Sequence, residues 1–384
     1  MSAVYIVDAK RTPIGRFGGG LKNLSAVDLA VEVSRSILTG ELAEHVDQMI
    51  LGQVLQAGCG MNVARQTALK VGIPQAVPSF VVNMVCGSGL KAISLGAQAI
   101  ASGEADLVVA GGTESMSQAP HYHRDARWGT KLGNASLEDA IFADGLIDPL
   151  LKIGMGETAE RLADRFSVTR IEQDAFAAQS QARAAGARDA FRREMISITT
   201  KQGVIAEDEH PRADTTVEKL AALKPAFRTN GTVTAGNASG INDGAALVLL
   251  ASEAAVKRHQ LVPRARWVAS AAQGCDPAEM GIGPVGAVRK LLAQTATTIS
   301  DVDAIEINEA FAVQALACAR ELEVPLEKLN PRGGAIALGH PVGASGARVL
   351  VTLLHYLEDT RQHRGIATLC IGGGMGIAGM IERV

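Results

Sequence analysis

The stretch from Ser79 to Gly112, SFVVNMVCGSGLKAISLGAQAIASGEADLVVAGG, decides how the rest of the chain is read. It opens with a β-branched run, SFVVNMV, and closes with another, ADLVVAGG. Between them GLKAISLGAQAIASG repeats apolar residues at helical spacing. Strands that are apolar throughout are buried on both faces, so the stretch predicts strand, helix, strand inside a layered α/β fold. Cys86 falls where the first strand gives way to the helix, with Gly87 and Gly89 beside it. Three readings meet there. Most free cysteines are inert core residues. A phosphate loop wants the glycines, but CGSGLK lacks the GxxxxGK[ST] length. A nucleophile fits best, because a helix N-terminus and its N–H groups favour thiolate and glycines let a substrate approach the backbone.

The same rhythm extends outward in both directions. AVYIVDA (3–9) and VDQMILGQVL (46–55) read as strands, SAVDLAVEVSRSIL (25–38) and NVARQTALKV (62–71) as helices. From about Ser115 to Ala235 the rhythm breaks. That stretch is richer in charge and holds helical sequence such as RIEQDAFAAQSQARAAGARDAF (170–191), as an insertion over the main body would. DGAALVLLAS (243–252), EAAVKRHQ (253–260) and ARWVASAAQ (265–273) then resume it. The two halves also echo each other. VCGSGLKAISLGAQAI followed by ADLVVAGGTESM has the order of LGHPVGASGARVLVTLLHYL followed by GIATLCIGGGMG, with His340 standing where Cys86 stands.

Composition narrows the function classes. Of 384 residues, 47% are hydrophobic and 20% charged, ample for a large core. The net charge of −3 gives no global attraction to nucleic acid or an anionic membrane. No basic-then-apolar leader opens the chain and no apolar stretch reaches bilayer length, so a soluble cytoplasmic protein is expected. The five cysteines, Cys59, Cys86, Cys275, Cys318 and Cys370, form no CxxC pair and read as free thiols.

Three further residues could do chemistry. His340 sits among Gly339, Pro341 and Gly343 and is the best-placed base, an imidazole being able to take a thiol proton near neutral pH. His45, His210, His259, His355 and His363 read as surface or polar-context histidines. His121 and His123 form an HxH pair with no ligand cluster around it, so no metal is expected. Cys370 ends a β-like run before three glycines, where α/β proteins site their chemistry and free N–H groups can hold an oxyanion. Asn308 is either a helix cap or a polar group that orients a water or a carbonyl.

Six pieces, NMVCGSGLKA, GGTESMSQAP, TVTAGNASGINDGAA, INEAFA, GGAIALGHPVGASGAR and LCIGGGMG, occur in this order across nearly the whole chain. Together they resemble the thiolase family of acetyl-CoA acetyltransferases and 3-ketoacyl-CoA thiolases. The resemblance implies two similar α/β halves in αβαβα layers: residues 1–114 with 236–250, residues 251–384, and an inserted loop domain, 115–235, covering the coenzyme A site. It implies a homotetramer built as a dimer of dimers, acyl-CoA and CoA as substrates, and no resident cofactor. It makes Cys86 the acylated nucleophile, His340 its base and Cys370 the residue that removes the α-proton. Asn308 would hold a water that forms one oxyanion site with His340, and the N–H groups of Cys86 and Gly372 the other. Arg212 and Phe227 would meet the nucleotide, Ala235, Ala238 and Ser239 the pantetheine. Met155, Met280, Ala310 and Phe311 would border the reactive end, although Met155 and Phe311 read equally well as core. One departure stands out: in KIGMGETAE, Gly154 occupies the place of a histidine in short-chain biosynthetic members, so longer acyl chains are expected to fit. The alternatives are a catalytically silent acyl-CoA-binding protein on this fold and a ketoacyl synthase-like condensing enzyme. The second cysteine, Cys370, speaks against the latter.

Overall fold

Strands that are apolar on both faces need cover on both sides, and the chain supplies it as alternating layers. The computed structural model describes residues 3–384. Its main strands are β1 (Val4–Arg11), β2 (Gln48–Gly52), β3 (Ser79–Val82), β4 (Leu107–Ser115), β5 (Asn242–Ser252), β6 (Ala265–Gly274), β7 (Ala304–Ile307), β8 (Arg364–Ile371) and β9 (Met375–Arg383). They join in one mixed sheet in the order β7-β8-β9-β6-β1-β5-β4-β2-β3, with a two-residue strand at Gly15–Arg16 against β5. The pairs β7/β8, β2/β3 and β2/β4 are parallel and the others antiparallel.

The helices are α1 (Ala26–Ile37), α2 (Val63–Lys70), α3 (Ser88–Ser102), α4 (Met155–Phe166), α5 (Arg170–Gly186), α6 (Arg188–Glu194), α7 (Gly283–Thr295), α8 (Ala312–Glu321) and α9 (Ser345–Thr360). Local chemistry sets several boundaries. A capping box between Ser25 and Asp28 starts α1, and one between Thr169 and Glu172 starts α5. The helix expected over 170–191 breaks at Ala187, directly after Gly186.

The period-two alternation of the strands builds the layers. In β5, Ala245, Leu247, Leu249 and Ala251 pack with α1 and α2, while Ala246, Val248 and Leu250 face α3. In β8, Ala367, Leu369 and Ile371 face α3 and α9, while Ile366 and Cys370 face α7 and α8. The order is therefore α1/α2, one half of the sheet, α3/α9, the other half, α7/α8. Leu350, Leu353, Leu354 and Leu357 of α9 are fully buried in the central layer. At about 1.5–3 kcal/mol each, they outweigh the several kcal/mol that burying Arg348 on the same helix costs.

The sequence echo is a structural one. β2, β4, β5 and β1 repeat in pairing and direction as β7, β8, β9 and β6. β3 lies beside β2 and leads to Cys86 and α3. Leu329 forms a parallel bridge beside Ile305 of β7, and the chain from it leads to His340 and α9. The halves join where β1 pairs with β6, Val4 opposite Trp267 and Ile6 opposite Ala265. Between β4 and β5 the chain leaves the sheet, and α4 and α5 pack through Ala159, Leu162, Phe176 and Ala177 onto the layer containing α8.

Candidate active site

The strand-to-helix turn that carries Cys86 is strained. Val85 has φ +45°, a left-handed conformation that a β-branched residue rarely adopts. Ser88 holds it there: its hydroxyl donates to Val85 O (2.6 Å) and accepts from Met84 N–H (2.9 Å). Behind the turn lies a buried carboxylate, Glu114 at the end of β4. It accepts from Val54 N–H (2.9 Å), Leu55 N–H (3.2 Å) and Gly343 N–H (3.0 Å), tying the loops around Cys86 and His340 together. Burial raises its pKa to about 7 despite those three donors. Cys86 itself is half-buried against an apolar cluster of Val54, Leu55, Met116, Ile141 and Val342.

The glycines of this turn also serve close packing. Neither has positive φ; Gly87 has φ −80°. A Cβ on Gly87 would lie 2.5 Å from Ile371 Cδ1, and one on Gly89 would lie 2.8 Å from Ala347 N. They let α3 press against β8 and the start of α9. The expected thiolate preference is also corrected. Burial pushes the Cys86 thiol up to about 11, and the N–H groups of Gly372 and Cys86 at the sulfur only partly offset it. Desolvation outweighs the helix terminus.

His340 is buried on the opposite half. Its backbone N–H donates to Asn242 Oδ1 (2.9 Å), and Nδ1 lies 2.5 Å from Ser345 Oγ, which donates to Pro341 O (2.9 Å). A hydroxyl has one proton, so Nδ1–H is the donor to Ser345 and Nε2 keeps its lone pair. Burial first, then the charge of Arg348, hold His340 at about 3, which leaves a neutral imidazole. The Asn308 amide nitrogen stands 3.4 and 3.5 Å from the two ring nitrogens, and its Oδ1 has no partner among the described residues. Asn308 is not the helix cap: Phe311 occupies that position before α8. The neighbouring Glu309 is structural, bracing Ser180, Asn330 and Ile336 N–H.

Cys370 is buried at the end of β8. Burial, then the proximity of Cys86 and Cys318, push its thiol well above the ordinary value. It shares an apolar cluster with Met280, Ala310 and Phe311, and Met155 packs against that cluster. A Cβ on Gly372 would lie 3.4 Å from Met155 Sδ and 3.6 Å from Val85 Cγ1, so Gly372 links the two thiol neighbourhoods. Ala238 bridges to Phe311, and Ser239 N–H donates to Ala310 O (3.0 Å). Phe227, 48% exposed, stands edge-on to Phe311 with ring centroids 6.1 Å apart, its ring lying over Gly156. Ala235 is exposed on the same segment. Arg212 stands apart: its N–H donates to Gln181 Oε1 (2.8 Å), and its exposed side chain forms no ion pair among the described residues. At Gly154, the residue preceding α4, a Cβ would meet nothing closer than Leu146 O at 3.9 Å.

Ser345, Glu114, Ser88 and the strain at Val85 escaped the sequence reading. A carboxylate ending the otherwise apolar LVVAGGTES was a visible signal for Glu114; the others depend on contacts that spacing does not display. His355, expected on a helix surface, is buried and bonds to Ala9 O (3.1 Å). Among the described residues, no three His, Cys, Asp or Glu side chains gather as metal ligands.

Two thiols, a neutral imidazole and an amide, drawn from two repeated halves, gather in one region of a layered α/β fold. The chain belongs to the thiolase family: residues 4–254 match the thiolase N-terminal domain and residues 261–383 the thiolase C-terminal domain. It is 50% identical to an acetyl-CoA acetyltransferase of Allochromatium vinosum over 390 residues, covering 99% of each chain. The solved Bacillus anthracis acetyl-CoA acetyltransferase superposes with TM-score 0.97 at 44% identity, covering 100% of this chain and 99% of that one. Human mitochondrial 3-ketoacyl-CoA thiolase in complex with CoA does so with TM-score 0.97 at 46% identity, covering 100% and 98%.

Proposed function

We propose that this protein transfers acyl groups between coenzyme A thioesters through an acyl-Cys86 intermediate, by reversible Claisen condensation or thiolysis of 3-ketoacyl-CoA. The observation that carries the reading is that the two thiol neighbourhoods meet: a Cβ on Gly372, two residues after Cys370, would lie 3.6 Å from Val85 Cγ1, beside Cys86. With one thiol at about 11 and a base at about 3, no ion pair exists at rest. The Cys86 proton moves to His340 Nε2 only as sulfur attacks the thioester carbonyl, and the N–H groups of Cys86 and Gly372 hold the oxyanion that forms. Collapse expels CoA thiolate, which takes its proton from Cys370 and leaves that residue as thiolate. Cys370 then removes the α-proton of a second acetyl-CoA. The enolate oxygen meets His340 and a water on Asn308 while its carbon attacks the acyl group. Cys86 departs and regains its proton from His340. Every proton is accounted for, and thiolysis runs the same steps backward.

CoA and acyl-CoA are substrates here, with no resident cofactor. Phe227 and the Ala235, Ala238 and Ser239 segment would receive the pantetheine and adenine, and Arg212 a phosphate. The open space at Gly154 supports acceptance of chains longer than acetoacetyl. Assembly as a tetramer of two dimers belongs to the same reading, supported by the family and by Trp128 and Leu132, 82% and 95% exposed on one segment off the sheet. So does a cytoplasmic place in lipid metabolism; no described helix is long and apolar enough to cross a membrane.

The test is thiolysis of acetoacetyl-CoA by CoA with wild type and Cys86→Ala. Turnover that falls at least about 1,000-fold in the variant is expected. A wild type that binds CoA without turnover points to the silent binding protein instead.

A further inference from the structure

Directly behind the site lies a buried Arg–Glu contact that is badly made. Arg348 on α9 is 1% exposed, yet none of its three guanidinium nitrogens has a hydrogen-bond partner among the described residues. Glu306 on β7 is fully buried, and neither of its carboxyl oxygens is bonded. The two groups face each other at 3.7 Å, beyond hydrogen-bond reach. Glu194 Oε2 and Arg332 Nη1, whose charges both act on Glu306, are also unpartnered.

Such an arrangement does not stabilise a protein. A buried pair repays its desolvation only with close geometry and its remaining lone pairs and protons satisfied, and apolar residues of similar volume are often as good or better. Well-made pairs stand next to it for comparison. Arg11 bonds Glu194 (2.5 Å) and reaches both oxygens of Asp208 (2.7 and 2.9 Å). Stability therefore does not account for Arg348 and Glu306.

Their positions do. Arg348 lies one turn beyond Ser345, the residue that orients the His340 ring, and its N–H bonds to Ala344 O within the same turn. Glu306 lies two residues before Asn308, at the end of the strand that delivers it. We propose that Arg348, facing Glu306 at 3.7 Å, is a positioning residue for His340 and Asn308. The two side chains set the spacing between the start of α9 and the end of β7, and so the approach of the imidazole to the amide. Neither residue touches substrate. The inference rests on the roles given above to His340 and Asn308.

The test is the double variant Arg348→Met/Glu306→Leu, which removes both polar groups and leaves neither without its partner. Its melting temperature is expected to equal or exceed that of the wild type, while kcat for acetoacetyl-CoA thiolysis falls at least about 10-fold and KM for CoA stays within about two-fold. Single-turnover acetylation of Cys86, read by mass spectrometry, is expected to slow by the same factor. The single variant Arg348→Lys, which keeps the cation, is expected to recover part of kcat and provides the reading should the double variant not fold. A double variant with wild-type kcat, or a Lys variant as slow as the double variant, overturns the inference alone. Absence of turnover in the wild type overturns it together with the proposed function.

Discussion

Replacing Ser345 by alanine isolates one hydrogen bond of the proposed base. The Ser345 hydroxyl accepts from His340 Nδ1–H at 2.5 Å and donates to Pro341 O at 2.9 Å. Its loss leaves the Nδ1–H buried without a partner, at a cost of about 1–3 kcal/mol to the tautomer that presents a free Nε2. At 1.4 kcal/mol per factor of ten, kcat for thiolysis should fall about 5- to 150-fold. The helix itself should be indifferent, because Ala344 is its cap and no side-chain cap bond is lost. Steady-state kinetics with acetoacetyl-CoA and CoA, alongside a melting curve, give the needed split: kcat down, KM for CoA within about two-fold. A Ser345→Thr variant, which keeps the hydroxyl, should recover most of the loss. If Ser345→Ala keeps more than half of the wild-type kcat while folding normally, the tautomer argument is wrong.

Four other outcomes are expected. Alkylation of Cys86 by iodoacetamide should be slow at pH 7 and rise about tenfold per unit toward pH 10, since the thiol sits near 11; a rate plateau near pH 7 would contradict a neutral resting pair. Gly87→Ala should cost about 1–3 kcal/mol by driving Ile371 Cδ1 aside, and Ile371→Val, which lacks that carbon, should recover part of it in denaturant titration. Glu306 is raised to about 8 by burial, so its folded form holds a proton that the unfolded chain releases above about 4.5. The wild type should then lose stability, relative to Glu306→Gln, as pH rises from about 4.5 through 8, by up to about 1.4 kcal/mol per unit; parallel stability–pH curves would refute this. Gly154→His should lower kcat/KM for longer 3-ketoacyl-CoA substrates by about tenfold and spare acetoacetyl-CoA; an unchanged chain-length profile would show that the space at 154 is not used.

The layered fold was legible because strand and helix periods differ and this chain keeps both cleanly. β5, apolar from Gly244 to Ala251, reads as a strand covered on both faces, and that is how Leu247 and Val248 come to serve different layers. The echo of the two halves was legible for the same reason. What spacing could not show is which residues meet across long separations. Gly87 and Gly89 look like turn glycines because the sequence does not reveal Ile371 and Ala347 on the other side. Glu114 binds loops 60 and 229 residues away. The pKa directions were equally out of reach. The helix terminus behind Cys86 can be read from composition, but the depth of burial that overrides it cannot.

The ladder between β1 and β6 makes the two halves one uninterrupted hydrogen-bonded surface, running from β7 at one edge to β3 at the other. Hinged enzymes swing two bodies about a flexible strip of backbone. No such strip joins these halves, and opening them would mean unzipping a β-ladder. The elements that carry Cys86 and His340 are therefore tied to one sheet rather than to two separately moving bodies. Any gating of substrate traffic then falls to chain off the sheet, such as the exposed stretch around Trp128 and Leu132, whose movement leaves the β-ladder intact.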